Sequence, residues 1–110
     1  MFLDKNTFST VIKSTPLISI DLVVIGVDGR ALLGRRLNKP AQGAWFVPGG
    51  RVLKDENLAL AFKRLTKEEL GFEFTIEQAN LLGPFEHFYQ DNVFGEQCST
   101  HYIALAYRLK

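Results

Sequence analysis

Cysteine is nearly absent: Cys98 stands alone, so no internal disulfide is available and a hydrophobic core must hold the fold. Charge of one sign does not accumulate either. Thirteen Lys and Arg against twelve Asp and Glu leave a net charge of +1, which gives no footprint for nonspecific nucleic-acid binding. Long hydrophobic runs are lacking; the most apolar stretch, Leu17 to Val27, is too short for a bilayer and carries Asp21. The first residues, MFLDKNTF, have neither the basic region nor the apolar core of a secretory signal. The expected location is therefore the reducing cytoplasm, with no membrane partner. Repeats, linkers and low-complexity tracts are missing too, which predicts a single domain over residues 1–110.

Against these absences one stretch stands out, from Pro48 to Phe72. Trp45-Phe46-Val47 reads as a short strand, and Pro48-Gly49-Gly50 closes it with a tight loop able to approach a ligand closely. A helix is predicted next. Leu58, Ala61, Phe62 and Leu65 recur at helical spacing as its buried stripe, and Glu69 falls on the same stripe. A carboxylate there is costly unless a cation meets it. Arg64 and Glu68 are spaced to pair, and Glu56 at the helix entrance suits the dipole. Acids presented toward a Gly-rich loop suit magnesium and phosphate oxygens.

The stretch resembles the signature of the Nudix hydrolases, Gly-x5-Glu-x7-Arg-Glu-U-x-Glu-Glu-x-Gly-U, where U is aliphatic. Gly50, Glu56, Arg64, Glu68, Glu69 and Gly71 match six of its seven fixed positions, and Phe72 fills the last apolar place. Leu65 replaces a Glu. That substitution, with KSTPL, LLGRR, NKPAQGAWFVPGGR, HFYQDN and THY, is similar to one branch, the GDP-mannose mannosyl hydrolases.

Taken in order, Asp4 to Ile12 is expected to be a helix capped by Asp4 or Asn6, stopped by Ser14-Thr15-Pro16. Leu17 to Val27 reads as a central strand covered on both faces. Asp28-Gly29 predicts a hairpin, with Arg30 to Arg36 returning as the partner strand. After the helix stops at Gly71, Phe72 to Thr75 is expected to be extended, and Ile76 to Asn80 reads as a turn. Leu81 to Gln90 and Ser99 to Leu109 predict two more strands, joined through Asn92 and Gly95. One mixed sheet packed against helices, an α/β fold of the α+β type, is the economical architecture.

Candidate site residues lie in and around that frame. Asp21, a carboxylate in an apolar run, needs a partner or a shifted pKa. Arg36 and Arg51 suit diphosphate oxygens; like Arg64, they also read as ordinary surface cations. His87 and Tyr102 on the last strands read as half-buried side chains, Phe2, Leu3 and Phe8 as plain core, Cys98 as an inert small hydrophobe, and His101 as surface. The resemblance implies more. It makes Glu69 and the Gly49 carbonyl magnesium ligands, one ion per subunit with manganese as a substitute. It assigns Asp21, Arg36, Arg51, Arg64 and Tyr102 to catalysis, and His87 and the Phe2, Leu3, Phe8 segment to substrate, with that segment exchanged in a homodimer.

The implied reaction is attack of water on the anomeric carbon of GDP-mannose, releasing GDP for polysaccharide sugar metabolism. Two alternatives stay open: a pyrophosphohydrolase attacking phosphorus, and a nucleotide-sugar binding domain without turnover. The branch draws its general base, a His, from elements beyond residue 110, so a 110-residue polypeptide is expected to have much reduced activity or none.

Overall fold

The computed structural model describes residues 3–37, 42–95 and 98–110. Its elements run α1 (Lys5–Ser14), β1 (Leu17–Val24), β2 (Gly34–Arg35), β3 (Trp45–Phe46), β4 (Gly49–Arg51) and α2 (Leu58–Leu70), then a 3-10 turn (Ile76–Gln78), β5 (Asn80–Tyr89) and β6 (Thr100–Leu109). Four strands form a mixed sheet in the order β4-β1-β6-β5. β1 is parallel to β6 and antiparallel to β4, while β5 is antiparallel to β6. β2 and β3 make a separate two-stranded ribbon. The α+β class expected from the sequence is the class observed. None of the helices among the described residues is long and apolar enough to cross a membrane.

One face of the sheet carries the core. Period-two alternation places Ile20, Leu22 and Val24 of β1 beside Leu105, Tyr107 and Leu109 of β6 in matched register. Ala61, Phe62 and Leu65 of α2 close over them. Phe62 is fully buried and meets the Tyr107 ring edge-on at 5.4 Å; truncating such a residue to alanine costs about 3–5 kcal/mol. The ends of α2 follow from local chemistry. The Asn57 side chain accepts the Leu60 amide at 2.8 Å, and Gly71 ends the helix at φ 85, a left-handed conformation that favours glycine.

Several expectations are corrected. Leu58 is 39% exposed, so the buried stripe begins at Ala61, and it includes Thr66, which is fully buried. The Thr66 hydroxyl accepts the Phe74 amide at 3.0 Å and donates to the Lys63 carbonyl at 3.1 Å, which resolves its burial and ties residues 72–75 to the helix rather than to the sheet. Those residues join no sheet, and Thr75 keeps the extended backbone expected there. Glu69 is exposed, because the last turn of α2 carries it off the buried stripe.

β1 stops at Val24; one face buries Ile20 and Leu22, and the other buries Leu17 and Ser19 but leaves Asp21 and Val23 half-buried. The Asp28-Gly29 turn forms, but the returning chain pairs mainly beyond the end of β1, through the Ile25–Ala31 bridge and the Gly26 amide to the Arg30 carbonyl, and meets β1 through the Leu32 amide to the Val24 carbonyl. Farther back along β1 the same edge is already occupied, since Leu22 donates to Pro48 and β4 pairs with Ser19 to Asp21. β2 therefore pairs with β3. Finally, Pro48-Gly49-Gly50 is not a loop, because Gly49 and Gly50 begin the edge strand β4.

Candidate active site

The edge strand β4 builds the site because only glycine fits at its start. A Cβ on Gly49 would run into the Ile20 carbonyl, and one on Gly50 would lie 2.7 Å from Leu65 Cδ2. Close approach of β4 to β1 and of α2 to β4 thus explains the double glycine. Pro48 accepts from Leu22 and Val52 donates to Ile18, both at 2.8 Å. Antiparallel alternation then turns the polar groups of Gly49 and Arg51 outward.

Helix α2 meets both. Glu69 Oε1 accepts the Gly49 amide at 3.2 Å, and Arg64 Nη2 donates to the Arg51 carbonyl at 2.9 Å. The rest of the Arg64 guanidinium forks onto Glu56 at 2.8 and 2.9 Å and reaches Glu68 at 3.2 Å. Glu56 also accepts the Leu53 amide at 3.0 Å, and its side chain is only 13% exposed. The hydrogen bonds from Arg64 hold the Glu56 carboxyl below its usual range, and Glu56 in turn raises Arg64. Glu56 serves as the partner of Arg64 more than as a helix-dipole charge. Arg64 itself latches helix to strand and does not line the cleft.

That cleft, about 300 Å³, opens on the sheet face opposite the core. Period-two alternation puts Ser19 and Asp21 there from β1, with Gly49 and Arg51 opposite them on β4. His87 and Tyr102 are direct cross-strand partners on β5 and β6. Arg36 reaches in just beyond β2, with Phe46 and Val47 from the other arm of the ribbon. Asp21, Arg36, Gly49, Arg51, His87 and Tyr102, each singled out from the sequence, are thus brought together. Glu69 stands beside them through its contact with Gly49.

The electrostatics follow from burial and neighbours. Asp21 Oδ2 lies 3.5 Å from His87 Nε2; burial pushes the Asp21 carboxyl up, and the imidazole partly offsets this. Burial also raises Tyr102, against the pull of Arg36 and Arg51, and raises Tyr89 with help from the Asp21 charge. Both phenols stay protonated and able to donate at ordinary pH. Each arginine rests on a ring: the Arg51 guanidinium carbon is 4.5 Å from the centre of Phe8, and that of Arg36 is 5.4 Å from the centre of Phe46.

Phe8 does not line the cleft and reaches it only through Arg51. Leu3 is half-buried ahead of α1 and also lies outside it, and Phe2 falls outside the described residues. Sequence reasoning missed Ser19, Phe46, Val47 and Tyr89. Two of these had a signal, since Ser19 and Tyr89 stand two residues from Asp21 and His87 and share their faces. His101, read as surface, is half-buried with its ring stacked 4.3 Å from Phe88. Its Nε2 is enclosed without a hydrogen-bond partner among the described residues.

Among the described residues, no three His, Cys, Asp or Glu side chains are grouped to hold a metal. Glu56 and Glu68 are engaged by Arg64, whereas Glu69 is exposed and gives one oxygen to Gly49. One carboxylate at the mouth of an arginine-rich cleft fits an ion completed by substrate phosphate and water, the usual habit of magnesium, rather than an all-protein cage.

The family model described as the NUDIX domain matches residues 15–110. The low-salt glycan biosynthesis protein Agl8 of Haloferax volcanii is 46% identical over 102 residues, which cover 93% of this chain and 64% of that protein. The chain therefore spans somewhat less than two thirds of this relative's length. Among solved structures, the MutT NUDIX hydrolase of Burkholderia pseudomallei is 33% identical with a TM-score of 0.66, covering 87% of this chain and 67% of that one. The MutT protein of Methanosarcina mazei Go1 shares the fold at a TM-score of 0.66 and 24% identity, covering 88% of this chain and 65% of that one.

Proposed function

Because this chain belongs to the Nudix hydrolase family, we propose that it hydrolyses a nucleotide sugar, GDP-mannose foremost, into GDP and the free sugar by attack of water on the anomeric carbon. The observation that carries the reading is the convergence of Arg36, Arg51 and Tyr102 on one cleft beside Gly49 and Glu69. Two guanidinium groups and a phenol that stays protonated match a diphosphate that gains charge as it departs. Leu65 supports carbon as the point of attack. It is buried against Gly50 where the family signature has a Glu, so no carboxylate at that position directs water toward phosphorus. The printed name of the Agl8 relative, a glycan biosynthesis protein, agrees with a sugar nucleotide.

In this reaction water forms the new bond to the anomeric carbon, the bond from that carbon to the diphosphate oxygen breaks, its electron pair stays on GDP, and the proton that the water loses is released to solvent. Arg36 and Arg51 take up the charge left on the diphosphate, and Tyr102 donates to it. Asp21 and His87, in contact across the cleft wall, orient the water and the sugar hydroxyls. Magnesium, held by Glu69 and the Gly49 carbonyl, would add positive charge at the leaving diphosphate. A homodimer through the amino-terminal segment and a cytoplasmic location complete the proposal.

The test is the product set from GDP-mannose, GDP-glucose and ADP-ribose with and without magnesium. GDP and mannose, formed only with magnesium, are the expected products. Mannose 1-phosphate and GMP would move the attack to phosphorus. Calorimetric binding of GDP-mannose without turnover would make the domain a binding module.

A further inference from the structure

We infer that Phe8 is a positioning residue for Arg51, holding the guanidinium against the cleft from behind; the consequence for turnover rests on the reading above. Phe8 lies in α1 and does not line the cleft, yet its ring sits 4.5 Å from the Arg51 guanidinium carbon. Among the described residues no carboxylate lies within ion-pair distance of Arg51, and its backbone carbonyl is engaged by Arg64. The side chain is therefore oriented by a π face, which attracts a cation without neutralising it. A carboxylate would orient it equally well but would compete with an incoming diphosphate.

The ring is itself held. Its edge meets Phe94 at 5.9 Å with the planes at 85°, and the Phe94 amide is fixed by Asn92 Oδ1 at 2.8 Å in the turn between β5 and β6. On the other side, Asp4 caps α1 by accepting the Thr7 amide at 2.8 Å. Two segments far apart in sequence thus set the Phe8 ring, and the ring sets Arg51. Such preorganisation reduces the ordering cost when a diphosphate binds or departs.

The test has two arms on the same variants, Phe8→Leu, Phe8→Tyr and Arg51→Gln, each first confirmed to be folded by circular dichroism. In the free protein, ring-current displacement of the Arg51 δ and ε protons should be present by NMR, lost in Phe8→Leu and kept in Phe8→Tyr. In the second arm, kcat for GDP-mannose and affinity for inorganic pyrophosphate are measured around a double-mutant cycle. Phe8→Leu should lower both about five- to tenfold alone, Phe8→Tyr should restore them, and neither quantity should fall further when Phe8→Leu is added to Arg51→Gln.

Absence of the ring-current shift overturns the inference, as does an additive cycle, which would assign Phe8 to packing or direct substrate contact. If Phe8→Leu unfolds, Phe8→Met, which keeps apolar volume without a π face, replaces it in both arms. A wild-type chain that turns over no GDP-mannose sinks the reading of the reaction, while the NMR and pyrophosphate cycle still judge Phe8.

Discussion

Replacing Arg64 by Gln should destabilise the protein by about 2–3 kcal/mol at neutral pH, and the loss should shrink in acid. Arg64 makes four hydrogen bonds, two to Glu56, one to Glu68 and one to the Arg51 carbonyl. Removing one partner of a buried ion pair costs about 3–5 kcal/mol. Here Arg64 is 24% and Glu56 13% exposed, so water partly relieves the abandoned carboxylate and the lower figure follows. In a domain of this size that corresponds to a Tm lowered by about 8–12 °C.

The pH dependence carries the sign of the pair. The Glu56 carboxyl is depressed in the folded protein, so its contribution is present above the ordinary carboxylate range and disappears as pH falls through its folded value. Urea denaturation of the wild type and Arg64→Gln should therefore show a wide gap at neutral pH that narrows below about pH 4. Arg64→Lys should lose a substantial part of the same stability, because a point charge cannot fork onto Glu56 while reaching Glu68 and the Arg51 carbonyl. A gap under about 0.5 kcal/mol, or one equally wide in acid, would refute the latch.

Other expected outcomes touch the site more directly. Glu69→Gln keeps an acceptor for the Gly49 amide, so stability should hold while magnesium-dependent turnover falls by roughly 100-fold or more; unchanged activity removes Glu69 as a ligand. Arg36→Gln should lower kcat by about 100-fold or more with a smaller effect on KM, and a change in KM alone would contradict leaving-group stabilisation. Tyr102→Phe should lower kcat, and since burial raises that phenol, any alkaline limb due to it in the wild-type profile should lie above about pH 10. Gly49→Ala should cost about 3 kcal/mol or more in urea denaturation, because the new methyl meets the Ile20 carbonyl; a well-tolerated alanine would show that β4 can move away from β1.

Where local chemistry decides structure, the sequence was readable. The cap at Asp4, the helix stop at Gly71 and the two long strands β5 and β6 are properties of a few neighbouring residues. What escaped depends on competition between distant segments. Gly49-Gly50 reads as a loop on propensity, yet the same lack of side chains lets it lie against Ile20 and beneath Leu65 as an edge strand. Once that edge was filled, Gly34–Arg35 could not complete the hairpin and paired with Trp45–Phe46 instead. Thr66, a poor match to an aliphatic position, is buried because its hydroxyl serves the Phe74 amide, a partner that spacing alone does not reveal.

The site shows the same division. Asp21, Arg36, Arg51, His87 and Tyr102 do converge. Arg64, a match to the signature, proves to join α2 to β4, and Phe8 meets Arg51 only because α1 flanks the cleft.

The most direct test of the central claim is hydrolysis of GDP-mannose in oxygen-18 water with magnesium, followed by mass spectrometry of both products. The account predicts heavy oxygen in mannose and none in GDP. Heavy oxygen in a nucleotide phosphate, with unlabelled sugar phosphate, would contradict it.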